Sequence, residues 1–489
     1  MSQKREELLG IKNKKFENFS EWFSEVIEKC ELADLRYGVQ GFIVHRPWSM
    51  WVIKYIYRFF EEELEKTGHK PVLFPLVIPE ENLKKEREHI GFLPQVFWVT
   101  EAGEKKLEKK LALRPTSETA FYSVYPFWIK SYKDLPLKLY QSVAVYRYEH
   151  VTRPFIRGRE FLWIETHNVF STHEEALAQT REDMEISKKV IWEKLGIPFL
   201  NFKRPPWDKF KGAEDTYATD TLLPDGKAFQ IASTHDLGQR FSKVFEIKFM
   251  DKDKKWKLAW QTCFGPGIWR IFAALVAIHG DDKGLVYLFD VSPIQIIIIP
   301  IYYSKEEREK VLKKCKELKE KLGEFRVKID DSEKTPGEKF NIWEMFGVPI
   351  RLEIGKEEVE KKEVTIFRRD NFERIKVKES KLKEKILEIK DDMLRNLKER
   401  AKKFFEERIS KATNKEEILK ILREKGGFIE IPFCGREECA MEIKEETNGL
   451  EVRGVLIKDG KEFKGDLKGK KCAWCGERAK EIVYLAKPY

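Results

Sequence analysis

The chain contains 489 residues, and its 93 lysines and arginines against 83 aspartates and glutamates give a formal net charge of +10. This length predicts several domains. Charged residues make up 36% of the chain, against roughly 25% in ordinary globular proteins, an excess typical of heat-adapted proteins. No run of about 18 apolar residues occurs, and the first residues contain no apolar segment. We therefore expect a cytoplasmic protein with neither a membrane span nor an export signal, whose modest positive charge suits a polyanionic partner.

Two amphipathic helices are predicted near the start of the chain, over residues 16–35 and 48–65. The apolar run PVLFPLVIPEENL follows them and contains three prolines. Because proline removes a backbone donor from a sheet, we expect this strand at a sheet edge or at a subunit contact.

The segment LALRPTSETAF contains a predicted helix start. Thr116 can cap this helix, and Glu118 is favourable in a first helical turn, so ordinary helix chemistry is one interpretation. The other interpretation is functional, because a helix start would hold the Glu118 carboxylate rigidly where it could meet an ammonium group.

Residues 139–170 are predicted to form a hairpin of two apolar strands joined by an arginine-rich loop. Arg147 and Glu149 are two residues apart, and so are Trp163, Glu165 and His167, so strands would point each set at one face. Opposite charges would stabilise an exposed hairpin little. The pattern therefore favours a site that binds a zwitterion and a polyphosphate together.

A Gly-Pro-Gly turn precedes a strongly apolar helix that carries Arg270. Burying an arginine without an anion is unfavourable. A phosphate group or a nearby carboxylate could supply the partner, and both interpretations remain open from this segment alone.

A new unit begins near Pro293 with the apolar run IQIIIIP. Predicted helices at 305–322 and 338–346 alternate with predicted strands at 325–329 and in VPIRLEIG. This alternation predicts a small α/β domain with a mainly parallel sheet.

An amphipathic helix follows over residues 380–405. Its apolar positions are Leu382, Ile386, Ile389, Met393, Leu397, Ala401 and Phe404. We expect this stripe to contact the core of a neighbouring domain, and its lysines to be solvated or to meet phosphates.

Four of the seven cysteines lie near the end of the chain. Cys434 and Cys439 form one short knuckle, and Cys472 and Cys475 in KCAWCG form another. Two such knuckles predict one zinc ion bound by four thiolates, a structural site because no coordination position stays open. Two disulfide bonds are the alternative.

Several motifs together resemble one family. RPTSETA, VYRYEHVTRPFIRGREFLW, WDKFKGAEDT and LPDGKAFQIASTHDLGQRF occur in the order found in prolyl-tRNA synthetases of the archaeal and eukaryotic type. The resemblance implies a multidomain α+β and α/β fold. Residues 1–285 would form an antiparallel-sheet class II catalytic domain, 286–380 an α/β anticodon-binding domain, and 381–489 a linking helix with a zinc-binding α+β domain.

The resemblance also implies roles for particular residues. Arg147 and Arg270 would be catalytic. ATP, with Mg²⁺, would be bound by Arg147, Glu149, Arg157, Gln230, Ser233, Cys263 and Arg270. Proline would be bound by Thr116, Glu118, Arg147, Glu165, His167 and His235. The anticodon would be read by Glu344 and Arg351, with Arg369 or Arg368 a looser match.

For some of these residues a structural role is the alternative interpretation. His167 and His235 could each be a hydrogen-bonded core histidine. Glu344 and Arg351 could form a surface ion pair. In the family the carboxylate of the final tyrosine, here Tyr489, approaches the active site.

The expected activity is activation of proline with ATP, followed by transfer to tRNA(Pro), by a homodimer whose interface includes the proline-bearing strand. Residues 171–255 leave no room for an inserted editing domain, so we expect no hydrolysis of mischarged alanine. An inactive synthetase-like RNA-binding or regulatory protein is one alternative, and a related class II synthetase for another amino acid is a second. Retention of Arg147, Glu149 and Arg270 favours the enzyme.

Overall fold

The computed structural model describes residues 10–90 and 95–489, with side chains described as far as residue 85 and again from residue 95. Most of the N-terminal segment from which we expect no export signal lies outside these residues. No helix within the described ranges is both long and apolar enough to cross a membrane.

Helices and strands are interspersed along the described residues. The α-helices of the described residues are α1 (Phe19–Lys29), α2 (Pro47–Lys66), α3 (Glu80–Ile90), α4 (Glu118–Trp128), α5 (His173–Ser187), α6 (Arg240–Phe245), α7 (Ile268–His279), α8 (Lys305–Lys321), α9 (Pro336–Met345), α10 (Lys356–Lys361), α11 (Leu382–Glu406), α12 (Lys415–Glu424) and α13 (Glu437–Glu446). Short 3₁₀ helices occur at Tyr132–Asp134 and Glu379–Lys381, and a π-helix continues α5 at Lys188–Lys194.

The strands fall into one large sheet and several small ones. They are β1 (Ala33–Asp34), β2 (Val44–His45), β3 (Lys70–Pro71), β4 (Val77–Pro79), β5 (Trp98–Ala102), β6 (Lys105–Leu113), β7 (Leu137–Tyr146), β8 (Glu160–Phe170), β9 (Leu200–Lys203), β10 (Asp215–Leu222), β11 (Ala228–Gly238), β12 (Lys248–Met250), β13 (Trp256–Leu258), β14 (Trp260–Pro266), β15 (Ile296–Pro300), β16 (Val327–Ile329), β17 (Ile350–Ile354), β18 (Glu363–Arg368), β19 (Arg374–Lys378), β20 (Ile409–Lys411), β21 (Phe428–Phe433), β22 (Glu451–Lys458), β23 (Lys461–Glu462) and β24 (Glu481–Ala486).

The large sheet has the order β20-β21-β24-β22-β9-β10-β11-β14-β8-β7-β3, with β23 paired to β22. Adjacent strands in this sheet are antiparallel, except for the parallel pairs β20-β21 and β3-β7. β3 belongs to the proline-bearing run and lies at the edge, which confirms the predicted edge position. The predicted helices over 16–35 and 48–65 are present as α1 and α2.

The predicted hairpin is the pair β7 and β8, which are joined through ten residue pairs. Arg147 and Glu149, however, lie just beyond the end of β7. The Arg147 backbone N–H still donates to the Arg159 carbonyl at 2.9 Å, and the Glu149 N–H then turns back to the Arg147 carbonyl at 2.8 Å. The turn, rather than strand alternation, therefore sets the direction of the Glu149 side chain.

The second sheet forms the predicted α/β domain, in the order β16-β15-β17-β18-β19. The expectation of a mainly parallel sheet is wrong. β15 is parallel to β16 and β17, but the pairs β17-β18 and β18-β19 are antiparallel. A short turn joins β18 to β19, and a turn that short can connect only antiparallel strands.

Helix α11 joins two cores, as its apolar stripe predicts. Leu382, Ile386, Ile389 and Met393 pack in the core of the α/β domain, whereas Leu397 and Ala401 pack in a second core with residues of α1, α2 and α7. At the end of the helix the buried residue is Phe405 rather than Phe404.

The C-terminal unit extends the large sheet, a feature that sequence patterning did not reveal. β22 pairs antiparallel with β9, so strands from residues 451–458 and 200–203 are neighbours. Gly454 lies at an irregularity in β22, and a Cβ at this position would lie 2.0 Å from the Lys203 carbonyl oxygen. The predicted domain boundaries remain predictions, but the domains share this backbone pairing.

We predict that Gly454→Ala lowers the melting temperature strongly. Gly454 has φ +119° and a backbone neighbour where a methyl group would go, so the sheet must open to accept alanine. Gly449→Ala is the matched control, because Gly449 has φ +107° and nothing within 4 Å of the added Cβ. Thermal unfolding of both variants measures the difference. Equal losses would contradict the close approach between the two domains.

Candidate functional site

Two neighbouring cavities open on the face of the large sheet beside β8, β11 and β14. We call the first the arginine cavity. Its wall is formed by Arg147, Glu149, Ile156, Arg157, Gly158, Phe161, Leu162, Trp163, Gln230, Ile231, Ala232, Ser233, Gly265, Gly267, Trp269 and Arg270.

Arg270 lies in the first turn of α7, and its hydrogen bonds go to backbone carbonyls. Its Nε donates to Ile156 O and its Nη1 to Gln230 O, both at 3.1 Å. Burial, together with the nearby charges of Arg157 and Arg147, lowers the pKa of Arg270 to about 10. The interpretation of an arginine held by a carboxylate is therefore wrong, and the excess of positive charge suits an anion.

Arg147 lines this cavity from the end of β7. Its Nε donates to Pro115 O at 2.9 Å, and its guanidinium lies 5.0 Å from the centre of the Trp163 ring. Burial lowers the pKa of Arg147, whereas the charges of Glu118 and Glu165 raise it. These contacts fix the guanidinium between groups of both signs.

Glu149 and Arg157 face each other across the loop of the hairpin. Their side chains approach to 3.5 Å and are partly exposed, at 32% and 47%. An ion pair this exposed is weak, so a ligand could separate the two groups at little cost.

We call the second cavity the carboxylate cavity. Its wall is formed by Thr116, Glu118, Arg147, Trp163, Glu165, Thr166, His167, Arg204, Asp208, Phe210, Thr216, Gln230, Ser233, His235, Cys263, Phe264 and Gly265.

Glu165 is held by hydrogen bonds from the start of α4. Its Oε1 accepts from Thr116 Oγ1 at 2.8 Å and from the Ser117 N–H at 2.9 Å, and its Oε2 accepts from Ser117 Oγ at 2.6 Å. Burial opposes ionisation, but His167 and these donors outweigh it and hold the pKa of Glu165 below its ordinary value. Glu165 is therefore an ionised, fixed carboxylate.

The expected cap of α4 differs from the one in the structure. Ser117, not Thr116, occupies the N-cap position, and neither hydroxyl caps the helix. The Thr116 hydroxyl instead bonds Glu118 and Glu165, so the interpretation of Thr116 as a helix cap is wrong. Glu118 Oε1 lies 3.9 Å from Cys263 Sγ. Cys263, expected beside the nucleotide, therefore lies in the carboxylate cavity.

Both predicted histidines line the carboxylate cavity and also have hydrogen-bond partners. His167 Nδ1 lies 3.1 Å from the Tyr122 hydroxyl, while its buried Nε2 has no hydrogen-bond partner. His235 Nδ1 lies 2.9 Å from Thr216 Oγ1, and burial lowers the pKa of His235 to about 4. His235 is therefore neutral near pH 7 and brings hydrogen-bonding nitrogens but no charge to the cavity.

The two cavities share part of their walls. Arg147, Trp163, Gln230, Ser233 and Gly265 line both. A ligand carboxylate and a phosphate would meet at this shared wall, with carboxylates on one side for an ammonium and arginines on the other for further phosphates. The arrangement suits a reaction between a zwitterion and a polyphosphate.

Some residues that line the cavities were not predicted from the sequence. Arg204, Asp208 and Thr216 line the carboxylate cavity, and Trp269 lines the arginine cavity. The segment WDKFKGAEDT contains two of them, but neither its spacing nor its composition predicts an element or a direction for each side chain. The pairing of β9 with β10 is what brings Arg204 to the cavity.

The predicted anticodon residues are buried in the α/β domain. Arg351 Nη1 donates to Glu344 Oε1 at 2.8 Å, so the ion pair considered as an alternative forms, although Arg351 is only 2% exposed. Arg369 is 0% exposed and bonds both carboxylate oxygens of Asp281 at 2.6 Å. Arg368, 5% exposed, pairs with Asp370. The match of Arg369 or Arg368 to a base-reading residue stays a prediction, because both arginines, like Arg351, are buried and paired with carboxylates in this structure.

The four C-terminal cysteines come together as predicted. Cys434, Cys439, Cys472 and Cys475 are unpaired, and their sulfur atoms all lie within 4.8 Å of one another. The Sγ atoms of Cys439 and Cys472 are 3.9 Å apart, whereas a disulfide needs about 2.05 Å. In a tetrahedral zinc site with Zn–S bonds of about 2.3 Å the sulfurs lie roughly 3.8 Å apart, so the cluster fits zinc.

Comparison with family models places the chain in a class. Residues 97–279 match the tRNA synthetase class II core domain (G, H, P, S and T), and residues 295–389 match the anticodon binding domain. The chain is thus a class II aminoacyl-tRNA synthetase. Residues 415–489 match the model for the C-terminal domain of prolyl-tRNA synthetase.

Similar proteins identify the family. The proline--tRNA ligase of Thermofilum pendens is 63% identical over 98% of this chain and 99% of its own length, and that of Ignicoccus hospitalis is 46% identical over 98% and 100%. The crystal structure of prolyl-tRNA synthetase from Cryptosporidium parvum, complexed with halofuginone and AMPPNP, matches with a TM-score of 0.93 and 34% identity, covering 99% of this chain and all of that one. The chain belongs to the prolyl-tRNA synthetase family.

Proposed function

We propose that the chain activates proline with ATP to form prolyl-adenylate and transfers the prolyl group to tRNA(Pro). The observation that carries this proposal is the wall shared by the two cavities, with Arg147 in it. A synthetase of this kind must bring a carboxylate and a phosphate into contact, and like charges resist that approach. A buried cation between the two cavities removes the resistance.

In the activation step, a proline carboxylate oxygen attacks the α-phosphorus of ATP, and the bond to the departing diphosphate breaks. Arg147 would bind the carboxylate and the α-phosphate at once. No protein nucleophile is needed, because positioning and charge neutralisation account for most catalysis in phosphoryl transfer. The contacts with Pro115 and Trp163 would keep the guanidinium in place.

The rest of the arginine cavity suits the nucleotide. Arg157 and Arg270 would bind the outer phosphates, and Glu149 would accept a hydrogen bond from the adenine amino group once its pairing with Arg157 opens. Gln230 and Ser233 would complete this site. Because Glu149 is the carboxylate of this wall, Mg²⁺ would take most of its ligands from the ATP phosphates and water, and when bound it would neutralise phosphate charge.

The carboxylate cavity suits the secondary ammonium group of proline, which has two N–H donors. Glu118 and Thr116 would accept these, while Glu165, already held by α4, would supply a fixed negative charge nearby. His235, kept neutral by burial, and His167 would line the ring side of the pocket. Cys263 would pack beside the same substrate.

The other predicted partners belong to the same proposal. Glu344 and Arg351 would recognise anticodon bases after their mutual ion pair opens.

A homodimer would form around the edge strand, where Leu73 and Phe127 are 79% and 74% exposed and Trp128 contacts Phe74. Apolar side chains this exposed are typical of interfaces. The cytoplasmic location remains a prediction.

Activation can be measured as proline-dependent exchange of diphosphate into ATP. We expect exchange with proline and much less with glycine, serine or threonine, because a site with two acceptors leaves the third N–H donor of a primary ammonium group without a partner. Exchange that requires one of the other amino acids would redirect the assignment to a related synthetase. Absence of exchange with every amino acid would support an inactive RNA-binding protein instead.

The cysteine cluster is expected to hold one structural zinc ion. Metal analysis of the purified chain should give about one zinc per chain, and a strong chelator should lower its melting temperature. Cys472→Ser should lose the zinc. Cys315→Ser is the matched control, because Cys315 is buried in the α/β domain away from the cluster and should leave zinc content unchanged. Full zinc content in Cys472→Ser would contradict the four-thiolate site.

A further inference from the structure

A buried ionic cluster joins the C-terminal domain to the wall of the two cavities. Asp220, 0% exposed, accepts from Arg204 Nη2 at 3.0 Å and from Arg453 Nε at 2.9 Å. Arg204 Nη1 also donates to the backbone carbonyl of Arg453 at 3.0 Å. Arg453 belongs to β22 of the C-terminal domain, whereas Asp220 belongs to β10 and Arg204 directly follows β9, so the cluster joins the C-terminal domain to the catalytic one.

Two irregularities in the sheet bring these groups together. Across β10 and β11 the register shifts after Thr219, so that Asp220 lies directly opposite Gln230. Across β22 and β24 the register shifts between Val452 and Gly454, which leaves Arg453 as the extra residue. A bulge redirects the side chain that it contains. Arg453 is thus aimed at Asp220 by backbone geometry.

The charges of the cluster are nearly balanced. Asp208 lies 3.7 Å from Arg204, and Glu451 lies 3.4 Å from Arg453, both at partly exposed positions. Burial would raise the pKa of Asp220, but the two arginines outweigh it and lower that pKa, so Asp220 stays ionised. Desolvation offsets much of the attraction in buried ion pairs, which makes them a poor source of stability. We therefore infer the role of the cluster from its position between the C-terminal domain and the cavities, and not from its contribution to stability.

The cluster ends at Gln230, which lines both cavities. Gln230 Oε1 accepts from Arg204 Nη2 at 3.0 Å, and the Gln230 backbone carbonyl accepts from Arg270 Nη1 at 3.1 Å. An arginine has donors only, so the Gln230 amide must turn its oxygen to Arg204 and its two N–H donors away from it. Without Arg204 in this place, the amide could rotate and present its oxygen to an incoming anion.

We propose that Arg453 is a positioning residue of the active site, which acts through Asp220 and Arg204 to fix the Gln230 amide with its N–H donors available to substrate oxygens. The inference rests on the proposed function and deepens it. The C-terminal domain would contribute to proline activation itself, before any tRNA is bound.

The test is a double-mutant cycle in the diphosphate exchange assay, which contains no tRNA. Arg453→Lys keeps the charge but loses the planar fork that bonds Asp220. We expect it to reduce kcat/KM for ATP about three- to tenfold in the parent background and less than about twofold when added to Gln230→Ala, because residues acting through one contact are not additive. Melting temperatures of all variants are measured alongside.

Glu451→Gln is the matched control. It removes a partly exposed carboxylate near Arg453 but leaves the bonds to Asp220, and it should exchange like the parent chain. If Arg453→Lys does not fold, Asp220→Asn, which is nearly isosteric, takes its place in the same cycle.

The outcomes separate the inference from the function on which it rests. Equal losses in the parent and Gln230→Ala backgrounds, or no loss in Arg453→Lys, would overturn the positioning role while leaving activation intact. Failure of both Arg453→Lys and Asp220→Asn to fold would overturn it in favour of a purely structural role. No proline-dependent exchange by the parent chain would overturn the proposed function, and the inference with it.

Discussion

The Arg147 guanidinium lies at the boundary between a cavity rich in arginine and a cavity rich in carboxylates. Its Nε is bound to the Pro115 carbonyl, and its face lies over Trp163, so its position does not depend on a ligand. On one side lie Arg157 and Arg270, and on the other lie Glu118 and Glu165. If the two cavities merged, these arginines and carboxylates would pair with each other. The shared wall keeps the two sets of charged side chains apart but close together.

The fold provides this separation through the large sheet. β8, β11 and β14 are neighbours in it, and they supply Glu165, Gln230 and Cys263, with Arg147 just beyond β7. On one side, Thr116 and Ser117, which directly precede α4, donate hydrogen bonds that hold the Glu165 carboxylate. On the other side, α7 directs the Arg270 guanidinium at two backbone carbonyls. Because β22 continues the same sheet, the C-terminal domain is also part of this framework.

Sequence reasoning predicted the parts of the site that depend on local spacing. Glu165 and His167 share a face because β8 is a regular strand, and Arg270 lies at the start of an apolar helix, as its surroundings indicated. The sequence could not place Glu149, because a turn replaces the strand there. It could not predict the Thr116 hydroxyl bonds either, since the competing acceptor, Glu165, comes from a distant strand.

Long-range pairing explains the other differences. Arg369 resembles a base-reading residue in sequence, but the sequence could not show that Asp281 in the preceding linker binds it or that its side chain is buried. Arg453 carried no signal at all, because its direction comes from a bulge and its partner lies more than two hundred residues earlier. The parallel sheet of the α/β domain was overestimated because its last two strands form a hairpin, which helix–strand alternation does not anticipate.

The most direct test of the account is the Arg147→Ala variant, measured by proline-dependent diphosphate exchange and by tRNA binding. If Arg147 neutralises the meeting carboxylate and phosphate, exchange should fall by about 10² or more, as when a donor to developing charge is removed from other enzymes. Binding of tRNA and the melting temperature should stay close to those of the parent chain. A folded variant with nearly normal exchange would contradict the account, and so would a variant that loses its fold.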